Sequence, residues 1–379
     1  MFEAGTRSTA HLRGLISELG TKPIFSARDR TGFALTGQLP AHAKTHEAAL
    51  AWLFEWLLLR QDGQFVGAGH RVVHGGEHFA EPTLIDPTVY TALERLVPLA
   101  PLHQPHNLAA IRALMTLQPS LPQVACFDTA FHRTQDTQAQ NFALPRELTA
   151  SGIKRYGFHG LSYEYIASVL PKHLGAGAEG RVIVAHLGNG ASLCAMRDRK
   201  SVATTMGFTT LDGLMMGTRC GTIDPGVVFY LMREKNMSPI QVEDMLYQNC
   251  GLLGVSGVSS DMRELLASPI PAAGEAVDLS CYRAVREMGS LIAALGGLDV
   301  LVFTAGIGER SPEVRARICK RLSWLGIAID DQANHSNLAV INSAESRVTV
   351  LVIPTDEEAM IAQHTVCRIG ADQPTTYSE

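Results

Sequence analysis

An α/β protein with buried strands is what this sequence predicts, and its punctuation shows why. Apolar runs of four to eight residues that end in Gly, Asp or Thr alternate with longer helical patterns. Apolar residues make up 46% of the 379 and charged residues 18%, so the chain can bury enough surface to fold and lacks the composition of a disordered protein. At roughly 100 to 200 residues per domain, this length predicts two or three domains. Five strand ends carry the pattern: AGHRVVHGG at 68–76, QVACFDTAFH at 123–132, RVIVAHLGNGAS at 181–192, DVLVFTAGIGE at 299–309 and VTVLVIPTDEE at 348–358. In open α/β sheets ligands bind beyond the carboxyl ends of the strands. Each run places its polar residues there, so the chemistry is expected along one edge.

The helices between the runs have marked ends. Residues 44–60 (KTHEAALAWLFEWLLLR) predict a helix with a dense apolar face. Ser238-Pro239 predicts an N-cap followed by proline at the first helical position, where a missing N–H is harmless. Residues 267–278 (ASPIPAAGEAVD) predict a loop. Ser311-Pro312 predicts a second capped helix, expected to run to Gly326. Thr355-Asp356-Glu357-Glu358 opens the last helix as a capping box, with Thr355 as the cap and Glu358 reaching back, which leaves Glu357 free. The sequence carries no repeat of 20 to 50 residues and no low-complexity tract.

A net charge of −5 gives no global attraction to nucleic acid or an anionic membrane, so any phosphate must be met by a few local cations. The seven cysteines are widely spaced, with no Cys-x-x-Cys, and predict neither a disulfide framework nor a zinc site. The first residues lack a cationic stretch followed by an apolar one, and no run of about 18 apolar residues occurs. A soluble, cytoplasmic protein is expected, with no nucleic-acid or membrane partner.

Two Gly-rich segments, His186-Leu187-Gly188-Asn189-Gly190-Ala191-Ser192 and Gly306-Ile307-Gly308-Glu309, are expected to be strand-to-helix turns where glycine lets backbone amides approach a phosphate. Neither completes a dinucleotide fingerprint or a Walker loop. Together, with Asp128 and Asp261 also at strand ends or in loops, they favour nucleotide binding. His70, His74 and His78 fall four apart, but Val72-Val73 and Gly75-Gly76 make the segment a strand entering a turn, which argues against a helical metal site. Arg71 on that strand reads, by itself, as a surface arginine.

Nine ordered blocks then resemble the acetate and propionate kinase family over essentially the whole chain. They are HRVVHGG (70–76), APLHQPHN (100–107), FDTAFH (127–132), RYGFHG (155–160), HLGNGAS (186–192), MGFTTLDGLMMGTRCGTIDPG (206–226), GLLGVSGVSSDMREL (251–265), FTAGIGE (303–309) and PTDEE (354–358). The resemblance implies a short-chain carboxylate kinase of the actin-like ATPase superfamily. Its fold would be two related actin-like (ribonuclease H-like) α/β domains with a nucleotide cleft between them. Domain one would cover 1–130 plus 358–379 and domain two 131–357, with homodimers joined through the second. The implied cofactors are ATP or ADP with Mg2+, or Mn2+ in its place; acetate and acetyl phosphate would be the small-molecule partners.

The chemistry follows from the residue types. Acetate is ionised at neutral pH, so the nucleophile needs no base; the obstacle is repulsion between two anions. Phosphoryl transfer is catalysed by positioning and charge neutralisation, which calls for arginine, histidine and magnesium. By the resemblance, Arg71 would hold the substrate carboxylate, Arg219 the transferring phosphoryl group, and His159 the charge on its equatorial oxygens. Asp128 would orient an arginine or metal-bound water, and Glu357 would serve the magnesium. Val73, Leu102 and Phe158, with Thr210 where the family has proline, would line the acyl pocket. His186, Leu187, Gly188, Asn189 and Gly190, then Asp261, Met262 and Arg263, then Gly306, Ile307, Gly308, Glu309 and Arg310, would form the nucleotide loops.

Departures from the family pattern are Ala203, Thr210, Cys220 and Thr222, and Leu161 and Tyr163 in HGLSY; they bear on substrate choice and turnover. The family's opening strand, roughly LNxGSSSLKF, has no counterpart here, and Phe2-Glu3-Ala4-Gly5 resembles the second strand's turn. Two expectations follow: an active ATP:acetate phosphotransferase, with propionate or another short acid as alternative acceptor, or a nucleotide-binding actin-like protein with impaired kinase activity. A sugar kinase is disfavoured, since it needs an aspartate base for a neutral hydroxyl and has no use for Arg71.

Overall fold

A computed structural model describes residues 1–3, 10–19, 21–40, 43–60 and 65–371. The chain divides into two compact units, Met1–Ala130 with Asp356–Glu379, and Phe131–Thr355.

The first unit begins with an antiparallel meander of β1 (Leu12–Ser17), β2 (Ile24–Asp29) and β3 (Ala34–Leu35). Phe25 on β2 packs edge-on against Trp52 and Trp56 of the helix His46–Leu58, which Thr45 caps through the Ala48 amide. Of the four residues read as a turn, Ala4 and Gly5 lie outside the described residues; Phe2 pairs with Ala10 in a single antiparallel bridge. A second sheet places β6 (Gln123–Phe127) between β4 (Ala68–Val72), parallel to it, and β5 (Thr83–Leu84), antiparallel. Val72, Ala125 and Phe127 pack with Leu93, Leu108 and Ile111 from the helices Pro87–Glu94 and Gln104–Leu117. Each large side chain so buried stabilises by roughly 1.5 to 3 kcal/mol. The parallel register Arg71↔Cys126 and Val72↔Phe127 brings both strand ends to one edge.

The helix Glu357–Ala371 packs on β4 through a glycine. A Cβ at Gly69 would stand 2.2 Å from Thr365 Oγ1 and 2.4 Å from Ile361 Cγ2, so a larger residue would push the helix off the strand. Its start differs from the capping box expected at Thr355. The cap is Asp356, whose Oδ1 accepts from the Ala359 amide at 3.0 Å, while Glu358 faces Arg13 instead of the cap backbone. The helix begins two residues after Thr355, and an aspartate satisfies its orphan amides as well as a threonine does.

The second unit is built on a five-stranded sheet in the order β11 (Thr349–Val352), β10 (Val300–Thr304), β7 (Val182–Leu187), β8 (Ala191–Arg197), β9 (Lys200–Thr204). The first three are parallel and the last two antiparallel. All six residues of β7 are buried. On one face the helix Gly160–Leu174 contributes Tyr163, Ile166 and Leu170 to a core with Val182, Val184, Cys194 and Leu351.

Three expectations need correction here. The Gly188–Gly190 segment is a hairpin turn from β7 to β8, not a strand-to-helix turn, whereas the second Gly-rich segment does open a helix, Ala305–Arg310. Residues 267–278 are not a loop: a 25-residue helix, Pro271–Leu295, starts inside them with proline in its first turn and buries Ala273, Ala276 and Val277. Tertiary packing of an alanine-rich face outweighs the Pro and Gly signals that suggested a loop. The helix after Ser311 spans Pro312–Arg321 and is followed by a short 3-10 turn, Ser323–Leu325, so Gly326, at φ +82°, closes that turn and not the helix. Ser238 caps as expected, in a capping box with Gln241.

Candidate active site

In the first unit three charged side chains meet at the ends of β4 and β6. Asp128 is buried, and the Arg71 guanidinium grips it: Nε lies 3.0 and 3.1 Å from its two carboxylate oxygens and Nη2 2.6 Å from Oδ2. Glu357 Oε2 stands 3.8 Å from Arg71 Nε. The grip leaves Nη1 of Arg71, with its two N–H groups, as the donor edge not used by Asp128. Asp128 and Glu357 together raise the Arg71 pKa, against its burial. Burial pushes the Glu357 carboxyl up to about 7; Arg71 opposes that shift, and Asp128 and Glu358 add to it. Arg13 of β1 binds both carboxylates flanking Glu357: Nη1 reaches Glu358 at 3.0 Å and Nη2 reaches Asp356.

The other residues predicted in this unit are placed less closely. Val73 is buried just beyond β4, its amide bonded to Asn107 Oδ1 at 3.0 Å. Leu102 sits in the turn before the helix Gln104–Leu117 and is 43% exposed. The spaced histidines serve the strand end: His70 Nε2 lies 2.8 Å from Gln123 Oε1, and His74 Nδ1 accepts from the Gly76 amide at 2.9 Å. Burial pulls both down to about 4.

In the second unit His159, His186 and Arg219 gather around the Gly188–Gly190 turn. The His159 and His186 rings stack at 4.1 Å, 14° from parallel. Gly190 lies against both groups: a Cβ there would make ordinary contact, 3.4 Å from His159 Nε2 and 3.7 Å from Arg219 Nη1. Arg219 Nη1 donates to the Thr210 carbonyl at 3.1 Å and to Met216 Sδ. Among the described residues no carboxylate lies within ion-pair distance of it, and burial lowers its pKa. An uncompensated, half-buried guanidinium beside two imidazoles is a place for an anion. Phe158 is buried, its carbonyl 2.9 Å from His132 Nε2.

Hydroxyls hold the imidazoles. His159 Nδ1 lies 2.8 Å from Ser192 Oγ, which is 2.5 Å from the Tyr163 hydroxyl. His186 Nδ1 lies 2.8 Å from Ser162 Oγ, itself 2.8 Å from Thr355 Oγ1. The Thr355 amide donates to Glu309 Oε1 at 3.1 Å.

The three predicted nucleotide segments share one apolar cavity, whose lining includes Leu187, Gly188, Met262, Ile307, Leu214 and Ile318. Asp261 caps the helix Met262–Ala267 and also pairs with the exposed Arg263 at 2.5 Å, which pulls the aspartate down to about 2. Asn189 turns its carbonyl to the Gly217 amide at 3.1 Å. Gly306 and Arg310 are exposed, and Gly308 is buried with its carbonyl accepting from Arg315 at 2.9 Å. A cavity with apolar walls and Gly188 and Gly217 in its lining suits a nucleotide.

The family model described as "Acetokinase family" matches residues 1–363. The chain belongs to the acetokinase family. It is 53% identical over 371 residues to an acetate kinase of Rhodopseudomonas palustris strain CGA009, covering 96% of this chain and 93% of that one. It is 58% identical over 357 residues to an acetate kinase of Nitrobacter hamburgensis, covering 94% and 88%. Among solved structures it is similar to a propionate kinase from Francisella tularensis, with a TM-score of 0.86 at 37% identity over 94% of this chain and 93% of that one. The fold is thus the actin-like one of the acetokinase family, whose members use ATP or ADP.

The residue blocks of the acetokinase family pointed to Arg71, Asp128 and Glu357 one by one, and the first unit brings those three together. They did not point to Arg13, which stands more than 340 positions from its partners, nor to the Ser162–Thr355 contact. No spacing rule could find these. Ser192 lay inside the block HLGNGAS and Tyr163 in the HGLSY segment just past RYGFHG, and the polar tyrosine among apolar helix residues was the available signal.

Proposed function

We propose that this chain is an ATP:acetate phosphotransferase that reversibly transfers the γ-phosphoryl group of ATP to acetate, giving acetyl phosphate and ADP. The observation that carries the reading is Arg219, a guanidinium with no carboxylate partner among the described residues, aimed with His159 over the Gly188–Gly190 turn. An acetate oxygen forms the new O–P bond as the bond from the β–γ bridging oxygen to the γ-phosphorus breaks. No proton moves, so the site needs cations and not a base. Arg71 presents its Nη1 edge to the acceptor carboxylate, with Asp128 fixing the plane of the guanidinium. Arg219 and the His159 Nε2 face meet the charge on the phosphoryl oxygens. The segments around Gly188, Met262 and Ile307 hold the adenosine end.

Magnesium fits the donor set. Among the described residues no group of three or more His, Cys, Asp or Glu side chains could enclose a metal ion, and Mg2+ typically takes one or two protein carboxylates and fills its shell with phosphate oxygens and water. Glu357 would hold it; when bound, the ion neutralises charge on the phosphate oxygens. We also propose a cytoplasmic homodimer joined through the second unit, where Phe229, Tyr230 and Ile240 of neighbouring helices are 56%, 52% and 72% exposed. Sedimentation of the purified chain should give twice the monomer mass, and a monomer at micromolar concentration would refute it.

The test of the reaction is acyl phosphate formation from ATP with acids from formate to valerate. Acetate is expected to lead, with propionate next and within roughly 10-fold to 200-fold, because one methylene in an apolar pocket is worth only about 1 to 3 kcal/mol. The structural neighbour named as a propionate kinase supports propionate as the second acceptor. A maximum of kcat/KM at butyrate or beyond would overturn the reading.

A further inference from the structure

We propose that Tyr163, acting through Ser192, is a positioning residue that keeps a proton on Nε2 of His159, the ring nitrogen turned toward Arg219. The proposal rests on the phosphotransferase reading above, which gives His159 its task.

The geometry is confined to the second unit. Tyr163 stands one turn into the helix Gly160–Leu174, its amide bonded to the His159 carbonyl at 3.1 Å, and its side chain is fully buried. Ser192, on β8, is fully buried as well. The phenol lies 2.5 Å from Ser192 Oγ, and Ser192 Oγ lies 2.8 Å from His159 Nδ1. His159 itself is held in the left-handed region, φ 59° and ψ 24°, at the head of the same helix, so its ring leaves the backbone in one direction. On the far side of the ring, Nε2 faces Gly190 and the Arg219 Nη1 group. The other titratable groups facing this pair are His186 of β7, stacked on His159, and His132 of the turn Ala130–Thr134, edge-on to Tyr163 at 5.5 Å.

A serine hydroxyl can donate once and accept twice; a phenol that donates to it leaves the serine proton for its other neighbour. With Tyr163 donating to Ser192 Oγ, the serine O–H points at Nδ1 of the neutral imidazole, and the ring proton must sit on Nε2. When the ring is protonated, Nδ1–H donates to the same serine oxygen and Nε2–H is unchanged. In either charge state the ring presents an N–H donor on the Arg219 side, where negative charge collects during transfer. A chain of hydrogen bonds of this kind strengthens each link. Without the phenol the serine hydroxyl is free to accept from Nδ1–H of a neutral ring, and Nε2 then offers a lone pair to an anion.

The experiment measures the full chain in two ways. Imidazole 15N NMR without substrate, with the His159 signal identified by its loss in His159→Gln, reads the tautomer. The neutral ring is expected to carry its proton on Nε2 in the wild type and to shift toward Nδ1 in Tyr163→Phe and Ser192→Ala. The second measurement is the pH dependence of kcat for acetyl phosphate formation. At high pH, where the ring is neutral, the variants should lose on the order of 10-fold in kcat, more for Ser192→Ala than for Tyr163→Phe, with KM for acetate unchanged; at low pH, where the ring is protonated, they should approach the wild type. A wild-type neutral ring protonated on Nδ1 overturns the proposal even if neither variant folds. So does a kcat loss in both variants that is the same at every pH. A wild type that forms no acyl phosphate strikes the phosphotransferase reading instead, and the NMR result still tests this inference alone.

Discussion

Arg71 and Arg219 are the same residue type set in opposite surroundings. Arg71, with 46% of its side chain exposed, spends two of its nitrogens on a buried aspartate and has a second carboxylate 3.8 Å away. Arg219 is half-buried and, among the described residues, donates to a carbonyl and a thioether and to no carboxylate. In the first unit the neighbouring acids hold the guanidinium in one plane and raise its pKa; in the second, burial lowers the pKa and leaves the charge uncompensated. Neighbours thus decide whether an arginine is a fixed fork that reads the shape of a small carboxylate or a field source that gathers negative charge. The first property favours binding and the second favours the transition state.

The largest effect is expected where the charge is uncompensated. Arg219→Ala should lower kcat for acetyl phosphate formation by roughly 100-fold to 1,000-fold with little change in KM for acetate, the range typical for loss of one electrostatic donor. It orphans no carboxylate, so the melting temperature should hold. An equal loss in KM and none in kcat would erase the distinction drawn between the two arginines.

Arg71→Ala should act differently on both measures. KM for acetate should rise strongly while kcat changes less, and the variant should lose stability because Asp128 is left buried without its cation. Breaking a fully buried pair costs about 3 to 5 kcal/mol; with Arg71 nearly half exposed, roughly 1 to 3 kcal/mol is expected. Thermal unfolding checks this, and an unchanged midpoint would mean that Asp128 is hydrated once the arginine is gone.

A third effect separates the two arginine sites by pH, because only the first has a carboxylate beside it whose protonation is strongly shifted. Burial raises Glu357 from an ordinary 4.5 to about 7 in the folded protein. Between those values the native state holds a proton that the unfolded chain has released, so stability falls as pH rises through that window. In metal-free protein the loss is up to about 3 kcal/mol, and Glu357→Gln should remove it, leaving the variant more stable than the wild type at pH 8. Urea unfolding at pH 5 and pH 8 reads the difference. A Gln variant with the same pH dependence as the wild type would show that other groups carry it.

What could be read in the sequence was local or blockwise. Ser238 with Pro239, the presence of turns at the Gly-rich segments and the five strand ends are signals complete within a few residues, because capping, close turns and the strand period are matters of backbone sterics. The order of nine blocks did the rest, and with it the acetokinase family. Local signals also misled where packing overrode them: ASPIPAAGEAVD enters a 25-residue helix that buries Ala273, Ala276 and Val277, and Asp356 takes the cap that Thr355 was expected to provide while Thr355 turns to Ser162. The partner choices were decided only in three dimensions. Arg71 finds Asp128 because β4 and β6 run parallel in one register; Arg13 finds Asp356 and Glu358 across most of the chain; Tyr163, Ser192 and His159 meet because a helix crosses a hairpin. A hydrogen bond or an ion pair depends on fractions of an ångström between groups far apart in sequence, and no residue pattern carries that distance. The sequence by itself determined which residue types were available at the strand ends; the tertiary structure decided which arginine is neutralised and which is left charged.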